Sequence, residues 1–284
     1  MIRFRLAGML FELAGDHPAY EAAIAEYIRD FLVFDDSDAR DPAPLRWTVK
    51  SVESRGLPEL PGDRAAAVRQ APGRRELLLP GRARAVIDEA SFSVTATLAR
   101  EAAEKGPFYA WAPLSSLLRL FLSSELPRRD GLLAHAASIA DGPVARVFAG
   151  PSGAGKSTLA DLAAGRPVFN DEVTILRRTA EKDKEPPIWR VWPSPFYSDL
   201  SRPNRALAPL PLDGVHLIVK ADEDRLEPLS PVAALPPFMA CIMTFDDEAA
   251  AAGRLLNLAT DLLLAHPPLR LYFRKAPAFW ELFD

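Results

Sequence analysis

Apolar and polar residues alternate in part over three stretches of the first hundred positions: 2–13, 46–52 and 90–98. In the last of these Phe92, Val94 and Ala96 interleave with Ser91, Ser93, Thr95 and Thr97. A period of two marks a strand with one buried face. Residues 20–32 follow a different rhythm. Ala23, Ile24, Tyr27, Ile28 and Phe31 recur at helical spacing, which predicts a helix with one apolar side. Polar and Pro/Gly-rich pieces at 35–44 and 57–63 separate these runs. The pattern predicts a small α+β module over 1–112, with no chemical motif in it. Its arginines, Arg69, Arg74, Arg75, Arg82 and Arg84, form a basic patch or, as the preferred reading, a solvated face.

The pattern then changes. Residues 114–126 make an apolar helix that follows Pro113 and stops before Pro127, with Leu117, Leu118, Leu120 and Phe121 on its buried side. The domain boundary is placed there, at 112/113. Strands are predicted at 132–139, 145–149, 167–169, 173–176, 188–191, 214–219 and 269–273. Helices are predicted at 156–164 and 248–265. Strands and helices intermixed in this way predict an α/β domain over 113–284.

Composition narrows the setting. The 284 residues include 49% hydrophobic and 25% charged positions, an ordinary globular balance. The net charge of -4 gives no reason to expect a nucleic-acid partner. No stretch approaches the ~20 apolar residues of a membrane span, and the N-terminus lacks the form of a secretory signal. The single cysteine, Cys241, excludes an intrachain disulfide. It lies in an apolar run, which reads as a small buried hydrophobe. The expected compartment is the cytoplasm.

The chemistry is concentrated in Gly150-Pro151-Ser152-Gly153-Ala154-Gly155-Lys156-Ser157-Thr158. Gly150, Gly153 and Gly155 lack a Cβ, so the backbone can curl around an anion with its N–H groups inward. Lys156 brings an ammonium to the terminal phosphates of a nucleotide, and the Ser157 hydroxyl suits the Mg²⁺ that bridges them. Thr158 can support the loop or bond a further oxygen. Ser152 and Ala154 complete the cradle. The pattern arises by chance in about one chain of this length in a hundred. Here it also follows a predicted strand and opens a predicted helix, the context that phosphate binding requires. The expected ligands are therefore ATP and Mg²⁺.

Asp171 comes at the end of the next short strand. One helix and one strand return the chain to the same sheet edge, where ligands of α/β sheets sit. A carboxylate there can orient Mg²⁺ or act as base toward an acceptor hydroxyl. Glu172 adjoins it and points the other way in an extended segment. Asn170 can contribute an amide. His135, on the strand before the loop strand, is either a satisfied core group or part of the site.

Leu133-Ala134-His135-Ala136-Ala137, the loop, and Phe169-Asn170-Asp171-Glu172-Val173 together resemble the bacterial HPr serine kinases and their relatives. That group shares its fold with the ATP-dependent phosphoenolpyruvate carboxykinases. Some of the relatives are found beside peptide natural-product genes. The resemblance covers residues 114–284 and is strongest over 132–176. Weaker echoes lie at Pro195-Phe196, Ala208-Pro209-Leu210 and Arg225-Leu226-Glu227-Pro228-Leu229.

The resemblance implies that Asp171 is the catalytic carboxylate, activating the acceptor hydroxyl and approaching Mg²⁺, with His135 near it. Lys156 is expected to act on the phosphates, and Ser157, Asp171 and Glu172 are the candidate metal ligands. The chain departs from the HPr kinases in three ways. Asn170-Asp171 stands where they have two aspartates, Ser157-Thr158 stands where they have Ser-Glu, and their long C-terminal substrate-gripping helix is missing. HPr is therefore not the expected substrate. Arg202 and Arg205 are either a further phosphate contact or a plain surface loop.

The leading expectation is an ATP-dependent kinase that phosphorylates a hydroxyl, with serine of a peptide or protein as acceptor and a natural-product precursor peptide as one candidate. A small-molecule kinase is the enzymatic alternative. An ATP-binding regulatory or assembly protein without efficient transfer is the non-enzymatic one. A homo-oligomer is allowed by all three.

Overall fold

In the computed structural model, which describes residues 1–33, 44–60, 65–180, 186–197, 205–246 and 248–283, the first alternating run is two strands. β1 (Ile2–Leu6) turns into β2 (Met9–Gly15) at Ala7 and Gly8. Both turn residues take left-handed φ, 53° and 73°, as a two-residue turn of type I′ demands if the strands are to keep their twist. α1 (Pro18–Tyr27) follows, with proline in its first turn and the His17 ring accepting from the Ala19 N–H. Next come β3 (Leu45–Val52), β4 (Ala67–Ala71), β5 (Arg74–Leu79), β6 (Ala83–Asp88), β7 (Ser93–Ala99), α2 (Arg100–Glu104) and α3 (Pro107–Glu125). The strands form one mixed sheet in the order β1-β2-β3-β7-β6-β5-β4, with β3 parallel to both its neighbours.

The hydrophobic pattern did not predict β4, β5 or β6. In β5 the buried positions Arg75, Leu77 and Leu79 share a face, so an arginine stands where the pattern would require an apolar residue. Arg75 is 4% exposed, ion-paired to Glu89 at 3.0 Å and donating to Ser124 Oγ at 2.9 Å. Arg69, Arg74 and Arg82 are exposed, as a solvated face would have them. Phe92 is not on a buried strand face. It sits in the turn before β7 with φ 50° and is half exposed. The core is aromatic. Phe4 stacks on Phe11, and Phe121 of α3 meets Phe11 and Trp47 edge-on at 5.7 and 5.5 Å.

Pro113 lies inside α3 and does not precede it. The helix starts with the Ala110 N–H bonding Gly106 O. The proline therefore forgoes one bond in the second turn, next to exposed Phe108 and Tyr109. Residues Met1–Ser124 form one compact unit, so α3 belongs to it and the division falls after the helix rather than at 112/113. The short segment Thr244–Ala249 returns to this unit. There Phe245 O accepts from the Val68 N–H and Asp246 accepts from the Gln70 amide.

The second unit comprises Glu125–Met243 and Ala250–Asp284. Its elements are β8 (Gly131–Asp141), β9 (Val144–Ala149), α4 (Lys156–Asp161), β10 (Val168–Asn170), β11 (Val173–Thr179), β12 (Ile188–Trp192), β13 (Leu210–Lys220), β14 (Arg225–Pro228), α5 (Pro231–Met239), α6 (Ala249–Ala265) and β15 (Leu269–Phe273). α4 is shorter than the helix predicted to 164, because Ala164 and Gly165 turn left-handed, at φ 53° and 84°. β14 and α5 were not predicted. α5 carries Pro231 in its first turn and Pro236-Pro237 near its end, and such prolines hide a helix from a periodicity argument.

The ladders of this sheet close a circuit. β8 pairs β9, β9 pairs β13, β13 pairs β12, β12 pairs β11, and β11 returns to β8. β10 lies beside the second half of β8, while β15 and then β14 extend from β13. Alternation along β9 sorts the core onto two faces. Ala145, Val147 and Ala149 join the cluster packed by α5 and α6, and Phe148 joins the cluster packed by α4 and Trp280. The protein is thus mixed α/β with two mixed sheets. Among the described residues no helix is long and apolar enough to cross a membrane.

Candidate functional site

β9 ends at Ala149 and the glycine loop leaves the sheet there. A Cβ on Gly150 would lie 2.9 Å from Ile218 and 3.0 Å from Ala154, so this position admits only glycine without movement. Gly153 and Gly155 take φ 78° and 109°. A Cβ on Gly155 would also strike the Phe273 ring at 2.7 Å. The loop is therefore curled by its own backbone and seated on the ends of β13 and β15. Ser152 and Gly153 are exposed, Ala154 and Thr158 are half-buried, and Ser157 is exposed at the start of α4.

Lys156 folds back under this loop. It is 6% exposed, and its Nζ donates to the carbonyls of Gly150 and Pro151, both at 2.9 Å. Burial pushes the ammonium below the usual lysine range, opposed by the Cys241 thiol and the Glu172 carboxylate. Two uncharged carbonyls stabilise a buried cation only partly, so an anion in the loop would meet a cation with unspent electrostatic potential.

The carboxylates come from the far side of β8, the strand next to β9. β10 and β11 lie along the same side of β8, separated by Asp171 and Glu172. There the ladder is bridged by the Ala136 N–H to Glu172 O. Asn170 builds this bulge. Its Oδ1 accepts from the Glu172 N–H at 2.7 Å and from the Val173 N–H, and its amide donates to Ser194 O and Oγ at 3.4 Å. Both ends of the Asn170 side chain are thus engaged by the fold. Asp171 is 1% exposed and Glu172 is half-buried. The Glu172 charge, on a different element, is one of the two that oppose the downward shift of the Lys156 ammonium.

His135 pairs with Val173 at the last rung of β8 before the bulge. Strand alternation puts it on the face of Ala137 and Ile139, against which α4 packs through Leu159 and Ala160. Its N–H donates to Cys241 O at 2.7 Å, and Met243 N–H donates to Leu133 O. The segment around Cys241 therefore takes over the edge of β8 where β9 leaves it. Cys241 is buried, as the apolar run implied, with its thiol donating to Pro237 O. It also lies against Gly150 and Lys156, and burial pushes its thiol up while both of those neighbours oppose the shift. Nothing in the sequence around Cys241 signals this proximity.

Arg205 stacks over the Tyr197 ring at 4.6 Å. Arg202 lies outside the described residues. Among the described residues no group of three or more His, Cys, Asp or Glu side chains has the arrangement of a metal cage. Mg²⁺ on a nucleotide needs only one or two carboxylates, since phosphates and water complete its shell.

On the other side of the loop is a cavity of about 470 Å³, walled by Ala149, Gly150, Ala154, Leu217, Val219 and Pro237, with Lys220, Arg270 and Tyr272 also lining it. No protein-family model and no curated protein matches the chain.

Proposed function

We propose that the second unit binds Mg-ATP on the glycine loop and transfers its γ-phosphoryl group to a hydroxyl, with serine of a peptide or protein as the acceptor. One observation carries this reading. A buried lysine is folded into a glycine loop at the end of β9, and a pair of acidic residues stands between β10 and β11, which pair with the far side of β8, the strand next to β9. The resemblance of 132–176 to the HPr kinase group supports the same assignment and implies its phosphate-loop fold.

The donor set fits the cofactor. The loop N–H groups and Lys156 suit the phosphates, while Ser157 and Asp171, with Glu172, would hold Mg²⁺, which offsets the phosphate charge. Lys156 exchanges the Gly150 and Pro151 carbonyls for phosphate oxygens and gains charge-assisted bonds. Asp171 accepts the acceptor's proton. Asn170 holds the Asp171–Glu172 bulge in shape and is not a metal ligand in this scheme. His135 borders the bulge.

The test is transfer of label from [γ-³²P]ATP to seryl peptides and to cell extract. Asp171→Asn is expected to keep ATP affinity within about threefold and to lower transfer at least 100-fold, the order of a lost general base. Full transfer by that variant would remove Asp171 from its role. Tight ATP binding by the wild type with no transfer to any acceptor would make the chain a nucleotide-sensing module.

A further inference from the structure

The geometry points to the cavity between the glycine loop, the ends of β13 and β15, and α5 as the seat of the nucleotide's base and ribose. This rests on the proposal that the loop holds the phosphates. The argument begins with the neighbours of β9. β9 has β8 on one side and β13 on the other. Asp171 and Glu172 stand along the β8 side. In phosphoryl transfer the attacking and leaving oxygens lie roughly in line through the transferred phosphorus. An acceptor activated by Asp171 therefore approaches from the β8 side, and the leaving diphosphate with its nucleoside extends toward β13.

The cavity lies on that side. Gly150, Pro151 and Ala154 form the wall it shares with the loop. Its other walls are Leu217 and Val219 of β13 and Pro237 of α5, apolar groups that suit a flat ring. Tyr272 is held in place, because the Arg225 guanidinium stacks on its ring at 3.5 Å. Lys220 and Arg270 supply the cations a ribose and an α-phosphate would meet. At about 470 Å³ the space falls within the range of small-molecule sites. Val219 is 38% exposed despite its place among apolar walls, so it is available to a ligand.

The experiment compares Mg-ATP with Mg-tripolyphosphate, which carries the same phosphates and no nucleoside, by calorimetry on the wild type and on Val219→Trp. The wild type is expected to bind ATP ten- to a hundredfold more tightly than tripolyphosphate, the worth of burying one ring-sized apolar group. Val219→Trp fills the cavity, and it is expected to erase that advantage while tripolyphosphate keeps its wild-type affinity. Unchanged ATP affinity in Val219→Trp overturns the assignment, and so does an equal loss for both ligands. If neither ligand binds the wild type, the loop itself is not a phosphate site. Photolabelling of the wild type with 8-azido-ATP decides the matter without any variant. Label in the peptides containing Val219, Pro237 or Tyr272 supports the cavity, and label confined to other peptides overturns it.

Discussion

The sheet of the first unit and the loop region of the second bury polar side chains in different ways. In the first unit, Arg75 meets Glu89 and Ser124, and Glu12 meets Arg3 at 2.7 Å. These contacts are spread along the sheet, and each accounts for a charge with an opposite charge. In the second unit, Lys156 is buried where β9 ends, and Asn170 and Asp171 are buried where the strand pair beside β8 bulges. There the buried cation has carbonyls and not a carboxylate as its direct partners. A paired buried charge serves the fold. One held by carbonyls costs stability, and a ligand that supplies the missing charge recovers it.

The largest expected contrast separates Lys156 from Arg75. Lys156→Met should weaken Mg-ATP binding at least 100-fold, about 3 kcal/mol, with no loss of thermal stability. Arg75→Met should cost about 2 kcal/mol of stability, discounted because Glu89 keeps some access to water, and should leave ATP affinity unchanged. Calorimetry and thermal melts on both variants measure this. A destabilised Lys156→Met would show that the lysine is structural and would erase the distinction.

His216 sharpens the comparison, because it is a buried polar group of the second unit that lies away from the loop. Its ring is closed in by Phe148 and Phe283, and its Nδ1 faces Val147 O. Burial first, and then the nearby Arg146 charge, lower its pKa from 6.5 to about 3, with the Val147 carbonyl opposing. The unfolded chain therefore binds the proton that the folded chain refuses between those values. The stability contributed by the neutral ring is complete above pH 6.5 and is lost as pH falls toward 3. The expected loss is about 2 kcal/mol by pH 5. Denaturant titrations of wild type and His216→Phe between pH 8 and 5 test it, and parallel curves would remove His216 as the cause.

The smallest expected effect concerns Asn170. Asn170→Asp keeps the acceptor for the two backbone N–H groups, loses the donor to Ser194 and buries a carboxylate. A cost of about 1 kcal/mol is expected, with ATP affinity within about twofold of wild type. A tenfold gain in Mg²⁺-dependent ATP binding would instead make position 170 a metal site.

Much of the fold was legible because its signals are local. The extended character of residues 2–13, the strands β3, β7 and β9, and the glycine turn between β9 and α4 each follow from a few adjacent residues, although the break of 2–13 into β1 and β2 does not. What escaped did so for physical reasons. β5 was hidden by an inward arginine whose partners lie elsewhere in the chain. α3 was cut short because proline marks a helix start in the sequence, whereas this helix tolerates Pro113 by forgoing one bond in its second turn. Phe92 was counted as a strand residue, although it occupies a left-handed turn. Asn170 reads in the sequence as an amide available to the site, whereas its hydrogen bonds tie it to the backbone and to Ser194.

By itself the sequence determined the candidate loop and the acid that follows it. The glycines, the lysine and the one-helix, one-strand return all act within a short span, where steric freedom and hydrogen-bond reach are set by neighbours in the chain. Only the tertiary structure decided what surrounds them. Cys241 reaches Gly150 and Lys156 because its segment replaces β9 along β8, and the cavity exists because β13, β15 and α5 converge beside the loop. Such juxtapositions depend on pairing between distant strands. They arise from the burial of two sheet faces at once and leave no periodic trace in the residues that make them.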